Sequence, residues 1–163
     1  MPTDFIRAGQ RKSAENVGSD AALEVHAGQL ELTVLFTELR ATVRAFAKAC
    51  ELARGLNACI RLIVPQVVPY ELALETPPVA SALHERNLQT ILETQTADAR
   101  AEIFLCRDVD ILLGEILPER STVIVGGCLR WWPTAEELLA RRLRKQGHEV
   151  IFAEPSEGEL HHA

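Results

Sequence analysis

Ser121-Thr122-Val123-Ile124-Val125-Gly126-Gly127 is an apolar run that ends in two glycines, and a well-signalled helix start follows it at Thr134. A buried strand that stops at glycine and turns into a helix is the connection from which parallel α/β sheets build ligand crevices, at the carboxyl ends of their strands. The stretch therefore says where a site lies and not what it binds.

Downstream, Thr134 and Glu137 form a capping-box pair, and Pro133 with Leu138 can staple the start of the helix. That helix is expected to run to Gln146 and stop at Gly147, with His148 to Ala153 as a last strand. Upstream, Leu30 to Thr37 reads as a central strand, and a helix follows from Glu38 to Arg54. Leu39, Val43, Phe46, Cys50 and Ala53 make one apolar stripe on it, which predicts the face turned to the sheet. Gly55 and Leu56 suggest a left-handed helix stop, and Ala58 to Val64 a second strand closed by Pro65. Gln66 to Val79, rich in proline, is expected to be a long excursion, followed by a helix from Ala80 to Gln95. Ala101 to Arg107 is a third strand, and Asp108 is placed to cap a helix from Val109 to Leu117. Strand and helix alternate throughout. That order predicts an α/β fold, a three-layer α/β/α sandwich around a five-stranded parallel sheet. Residues 1–28 read as a flexible arm, 29–154 as the α/β domain and 155–163 as a tail.

The chain has 163 residues, 47% of them hydrophobic, enough for one domain with a continuous core. Its net charge of −6 argues against a nucleic-acid partner, which needs a basic face. No apolar run is long enough to span a bilayer, and residues 1–28 lack a secretory apolar core, so no membrane is expected and the location is expected to be cytoplasmic. Cys50, Cys59, Cys106 and Cys128 form no C-x-x-C pair and have no metal-ligand spacing with the histidines. They are expected to be reduced thiols, and no metal site is expected. No P-loop, nucleophile elbow or zinc-protease motif occurs, so no enzymatic activity is expected.

Ala45-Phe46-Ala47-Lys48-Ala49-Cys50-Glu51-Leu52-Ala53, then Ala58-Cys59-Ile60-Arg61-Leu62-Ile63-Val64, resemble the A-x-x-L-A helix and following strand of the universal stress protein family. Thr122 to Gly127 resembles that family's glycine-ended fourth strand. The resemblance runs from about Leu30 to Glu154 and implies a Rossmann-like sheet of order 3-2-1-4-5, with a site between strands one and four. It also implies a homodimer paired through the last strand, at Val150 to Phe152. Two departures bear on the site. The ATP-binding branch carries G-x-x-G, nine residues, then G-S/T; here Gly126-Gly127 stand alone and no glycine follows before Gly147. Trp131-Trp132-Pro133 occupy the motif's place, and Thr37-Glu38 stand where V-D is usual.

The candidate ligand-binding residues are Thr37, Glu38, Val64, Pro65, Gly126, Gly127 and Arg130. Glu38 would hydrogen-bond a ribose or base, the glycines would admit a ligand close to backbone, and Arg130 would meet an anion. The candidate interface residues are Trp131, Trp132, Val150 and Phe152, because adjacent tryptophans in one loop cannot both enter the same core. The expected function is a non-catalytic regulatory or stress-response module, a homodimer with a degenerate nucleotide site and no cofactor. One alternative is an adenine-nucleotide binder, for ATP or AMP, using a rearranged loop after the fourth strand. Another is an interaction domain that docks an unidentified acidic or apolar protein partner through Trp131, Trp132 and the 65–79 excursion.

Overall fold

The computed structural model describes residues 5–7, 30–74, 98–128 and 130–155. The strands are β1 (Phe5–Arg7), β2 (Glu31–Leu35), β3 (Cys59–Val67), β4 (Ala99–Cys106), β5 (Thr122–Gly126) and β6 (Glu149–Ala153). The helices are α1 (Leu39–Leu56), α2 (Val109–Ile116) and α3 (Ala135–Lys145). The six strands form one sheet of order β1-β4-β3-β2-β5-β6. All neighbours are parallel except β1, which lies antiparallel to β4. Counted in chain order, the five parallel strands stand 3-2-1-4-5, as expected. The helix expected over 80–95 lies outside the described residues.

Each face of the sheet buries its own core. Leu32, Val34, Ile60, Leu62, Val64 and Ile124 pack under α1 against Ala45, Phe46, Ala49 and Cys50. Leu35, Ile63, Phe104, Val123 and Val125 pack on the other face against Leu112 and Leu113 of α2 and Leu143 of α3. Strands buried on both faces need apolar residues at every position, which is why β2, β3 and β5 read as near-continuous runs.

Local signals set most boundaries. The Asp108 carboxylate accepts from the N–H groups of Asp110 and Ile111 at 2.7 and 3.1 Å, capping α2. The Thr134 hydroxyl accepts from the Glu137 N–H at 3.3 Å, while the Glu137 carboxylate turns to Arg141 one helical turn on. Gly147, at φ 93°, ends the last helix as expected.

Four details differ from the sequence reading. Asn57, not Gly55, takes the left-handed position after α1, at φ 50°; Asn tolerates that region and Gly55 remains helical. Pro65 does not close β3, which continues to Val67. β2 pairs with β3 only as far as Leu35 opposite Ile63, and the odd-numbered positions of β3 face β2. The missing N–H of Pro65 thus falls where the ladder has already ended, the position a strand tolerates. On α1, Phe46, Cys50 and Ala53 of the expected stripe are buried, but Leu39 and Val43 are 39% and 47% exposed, and Ala41, Thr42, Ala45 and Ala49 complete the buried face. Ala41 lies against Gly126 of β5 with no room for a Cβ there, and this close approach turns Leu39 and Val43 at the start of the helix aside. Finally, Phe5–Arg7 add a strand to the outer margin of β4, Ile6 opposite Leu105, where the sequence reading had placed no element. The remainder of residues 1–28 lies outside the described residues.

Candidate functional site

The strand order reverses between β2 and β5, so their carboxyl ends open on the crevice that parallel sheets offer to ligands. The loop after β2 carries Phe36, Thr37 and Glu38; the loop after β5 carries Gly127, Cys128 and Arg130 to Pro133. The Thr37 hydroxyl donates to the Gly126 carbonyl at 3.3 Å, and the Thr37 N–H donates to the Thr42 hydroxyl at 3.2 Å. Thr37 thus ties the two loops together across the crevice floor.

The space beside both glycines is filled by protein. A Cβ on Gly126 would lie 1.9 Å from the Ala41 carbonyl oxygen, a backbone atom that cannot swing aside. A Cβ on Gly127 would meet the Phe152 ring at 2.6 Å and Glu136 Cβ at 3.0 Å. Glycine is needed here for helix and ring to approach the strand. Glu38 is exposed and precedes α1 without a side-chain capping bond. Arg130 is exposed, Val64 is buried beneath α1 and Pro65 is half-buried. Thr37, Glu38, Gly126, Gly127 and Arg130 therefore share the carboxyl end, while Val64 belongs to the core.

Trp131 and Trp132 are 92% and 77% exposed. Val150 and Phe152 are half-buried against the core shared with α2 and α3. Their backbone groups face away from β5, since it is Glu149 and Ala153 that bond to the β5 side. The outward Val150 carbonyl accepts from the Arg144 guanidinium at 3.0 Å.

Two arrangements were missed by the sequence reading. On the α2 face near the amino end of the sheet, Arg61 donates twice to the Glu102 carboxylate, at 2.8 and 3.2 Å, and once to the Ile116 carbonyl at 3.2 Å. Arg100 bridges Glu31 at 2.5 Å and Glu102 at 3.2 Å, so four charges link β2, β3 and β4. Opposite charges at mid-strand, Arg61 in one apolar run and Glu102 in another, were the available signal. The second arrangement is a shallow groove of about 490 Å³ between α1 and the end of β6, lined by Arg44, Ala47, Lys48, Glu51, Phe152, Ala153 and Glu154. Arg44 reaches from it to the Cys128 sulfur at 3.9 Å.

The first turn after β3 is held by Arg107, which donates to the carbonyls of Val68 (2.8 Å), Leu72 (2.7 Å) and Pro69 and lies over the Tyr70 ring, 5.2 Å from its centre. The four cysteines are free thiols. Burial pushes the Cys106 thiol up to about 11, with the nearby Asp108 charge adding to the effect. Burial likewise raises Cys50 and Cys59. Among the described residues no three His, Cys, Asp or Glu side chains are grouped to hold a metal, and no helix is long and apolar enough to cross a membrane.

No protein-family model matches the sequence, and no curated protein matches it. Among solved structures, a universal stress protein in complex with cAMP is 18% identical, with a TM-score of 0.51 over 78% of this chain and 98% of that one. A universal stress protein from Archaeoglobus fulgidus is 12% identical, with a TM-score of 0.49 over 77% of this chain and 93% of that one. The five parallel strands in order 3-2-1-4-5, with helices on both faces, thus resemble the universal stress proteins in fold, as the first strand-helix-strand unit implies.

Proposed function

We propose that the chain is a universal-stress-protein-like regulatory or stress-response module, non-catalytic, cytoplasmic, and working as a homodimer with a degenerate nucleotide site. The observation that supports it most is the occupied space at Gly126 and Gly127, which Ala41, Phe152 and Glu136 fill. A phosphate-binding turn needs glycines whose backbone N–H groups a ligand can approach, and here protein atoms stand beside both. The homodimer is supported by β6, which among the described residues ends the sheet, with the backbone groups of Val150 and Phe152 turned outward.

An adenine nucleotide is the second reading, favoured by the cAMP bound to the neighbour of the same fold and by the exposed Arg130 beside the crevice. Calorimetry with ATP, AMP and cAMP separates the two. No heat of binding is expected for any of them; magnesium-sensitive micromolar binding of ATP would replace the first reading with the second. Light scattering on the same protein is expected to give the mass of two chains, and Val150→Pro, which deletes an outward N–H without touching the β5 ladder, is expected to give one. A monomeric unsubstituted chain ends the dimer reading.

A further inference from the structure

We propose that the surface running from the Arg44 groove to Trp131 and Trp132 docks an acidic, apolar segment of another protein. It begins from an unmet hydrogen-bonding need. Among the described residues, Arg44 Nε is buried without a partner, and its guanidinium makes one contact, at 3.9 Å, with the weakly accepting sulfur of Cys128. A guanidinium carries five donors in a planar fork that matches a carboxylate, and an enclosed donor without an acceptor is costly. Arg100 Nε is also buried without a hydrogen bond, but the Glu102 carboxylate lies 3.2 Å from it. No such carboxylate stands by Arg44 among the described residues.

The neighbours define the chemistry. Lys48, one turn along α1, lines the same groove and is paired with Glu51 at 3.0 Å, so that local acid is already engaged. Glu154 lines the far side and Glu136 stands beside Gly127; neither is bonded to Arg44. Ala47, Phe152 and Ala153 give the groove an apolar lining. Cys128, touched by Arg44, is followed three residues later by Trp131, a span of at most about 10 Å of chain. Exposed Arg130 stands between them. Two indoles in solvent, the nearer within about 10 Å of chain from the cysteine that Arg44 touches, make with Arg44 the aromatic-and-arginine composition that anchors protein contacts. A partner segment placing a carboxylate on Arg44 and apolar side chains against the indoles would satisfy both at once.

The chain's two tryptophans both lie in this loop, so tryptophan emission excited at its red edge, where the single tyrosine does not absorb, reports on it alone. The probes are a short synthetic peptide alternating Glu and Leu and its Lys-Leu counterpart. The Glu-Leu peptide is expected to blue-shift the emission saturably, the Lys-Leu peptide to leave it unmoved, and Arg44→Gln to weaken the Glu-Leu response about tenfold. Equal response to both peptides, or an Arg44→Gln chain that binds as before, would overturn the proposal. So would a Trp131→Ala/Trp132→Ala chain that loses its partner copy in light scattering, because the loop would then be a contact between copies. The homodimer and nucleotide readings stand or fall separately, on β6 and on calorimetry.

Discussion

The two ends of the sheet handle polarity in opposite ways. Near the amino end, Glu31, Arg61, Arg100 and Glu102 satisfy one another across three strands, and Arg61 also takes up the last-turn carbonyl of Ile116. At the carboxyl end the floor is closed by Thr37 and by glycines packed against helix and ring, while the rim leaves Arg130, Trp131, Trp132 and Tyr70 in water. One end has few groups left to offer a partner, and the other has many. Physical chemistry alone would place function at the second, whatever the ligand.

The largest effect is expected from the floor. Gly126→Ala would drive its methyl group into the Ala41 backbone and is expected to cost about 3 kcal/mol or more, measured by denaturant unfolding. A cost under about 1 kcal/mol would mean that α1 can lift off β5, and the floor would be open, not closed. Next comes the amino end. Glu102→Ala removes the carboxylate shared by Arg61, whose side chain is 13% exposed, and Arg100; it leaves Arg61 the Ile116 carbonyl and Glu31 at 3.8 Å, and is expected to cost about 2–3 kcal/mol by the same measurement. If the loss is negligible, the network does not distinguish the two ends.

The smallest effect is a dependence on pH. A thiol whose folded pKa lies above its unfolded value keeps its proton longer in the folded chain. Stability should therefore be fully present below about 9 and fall as pH rises through the window to about 11, where Cys106 ionises in the folded chain. Cys50 and Cys59 act in the same direction. Cys106→Ala should flatten the decline; an unchanged slope would assign the base sensitivity to another part of the chain.

Periodicity and capping carried the fold well. The apolar runs of β2, β3 and β5, the cap at Asp108, the Thr134 hydroxyl bond and Gly147 all stand in the structure, because each is decided within a few residues. What was not legible depends on contacts far apart in sequence. The rotation of α1 that exposes Leu39 and Val43 follows from the close approach of Ala41 to Gly126, eighty-five positions away in the chain. Pro65 sits within a strand because β2 happens to be short, a property of a different segment. At the site, the glycines stand at the end of β5, but their neighbours Ala41, Glu136 and Phe152 could not be read from the sequence. Arg44, exposed to no sequence motif, emerged only once α1 and the β5 loop were side by side.

The strand Phe5–Arg7 has a consequence for growth. It blunts one margin of the sheet, where Phe104 to Cys106 would otherwise be open to a neighbour, and among the described residues the opposite margin ends at β6. Joining β6 to β6 about a two-fold axis uses that margin up in both molecules. Among the described residues, such a pair would present at its outer margins the three-residue β1 strands, which offer little length for a further strand to pair with.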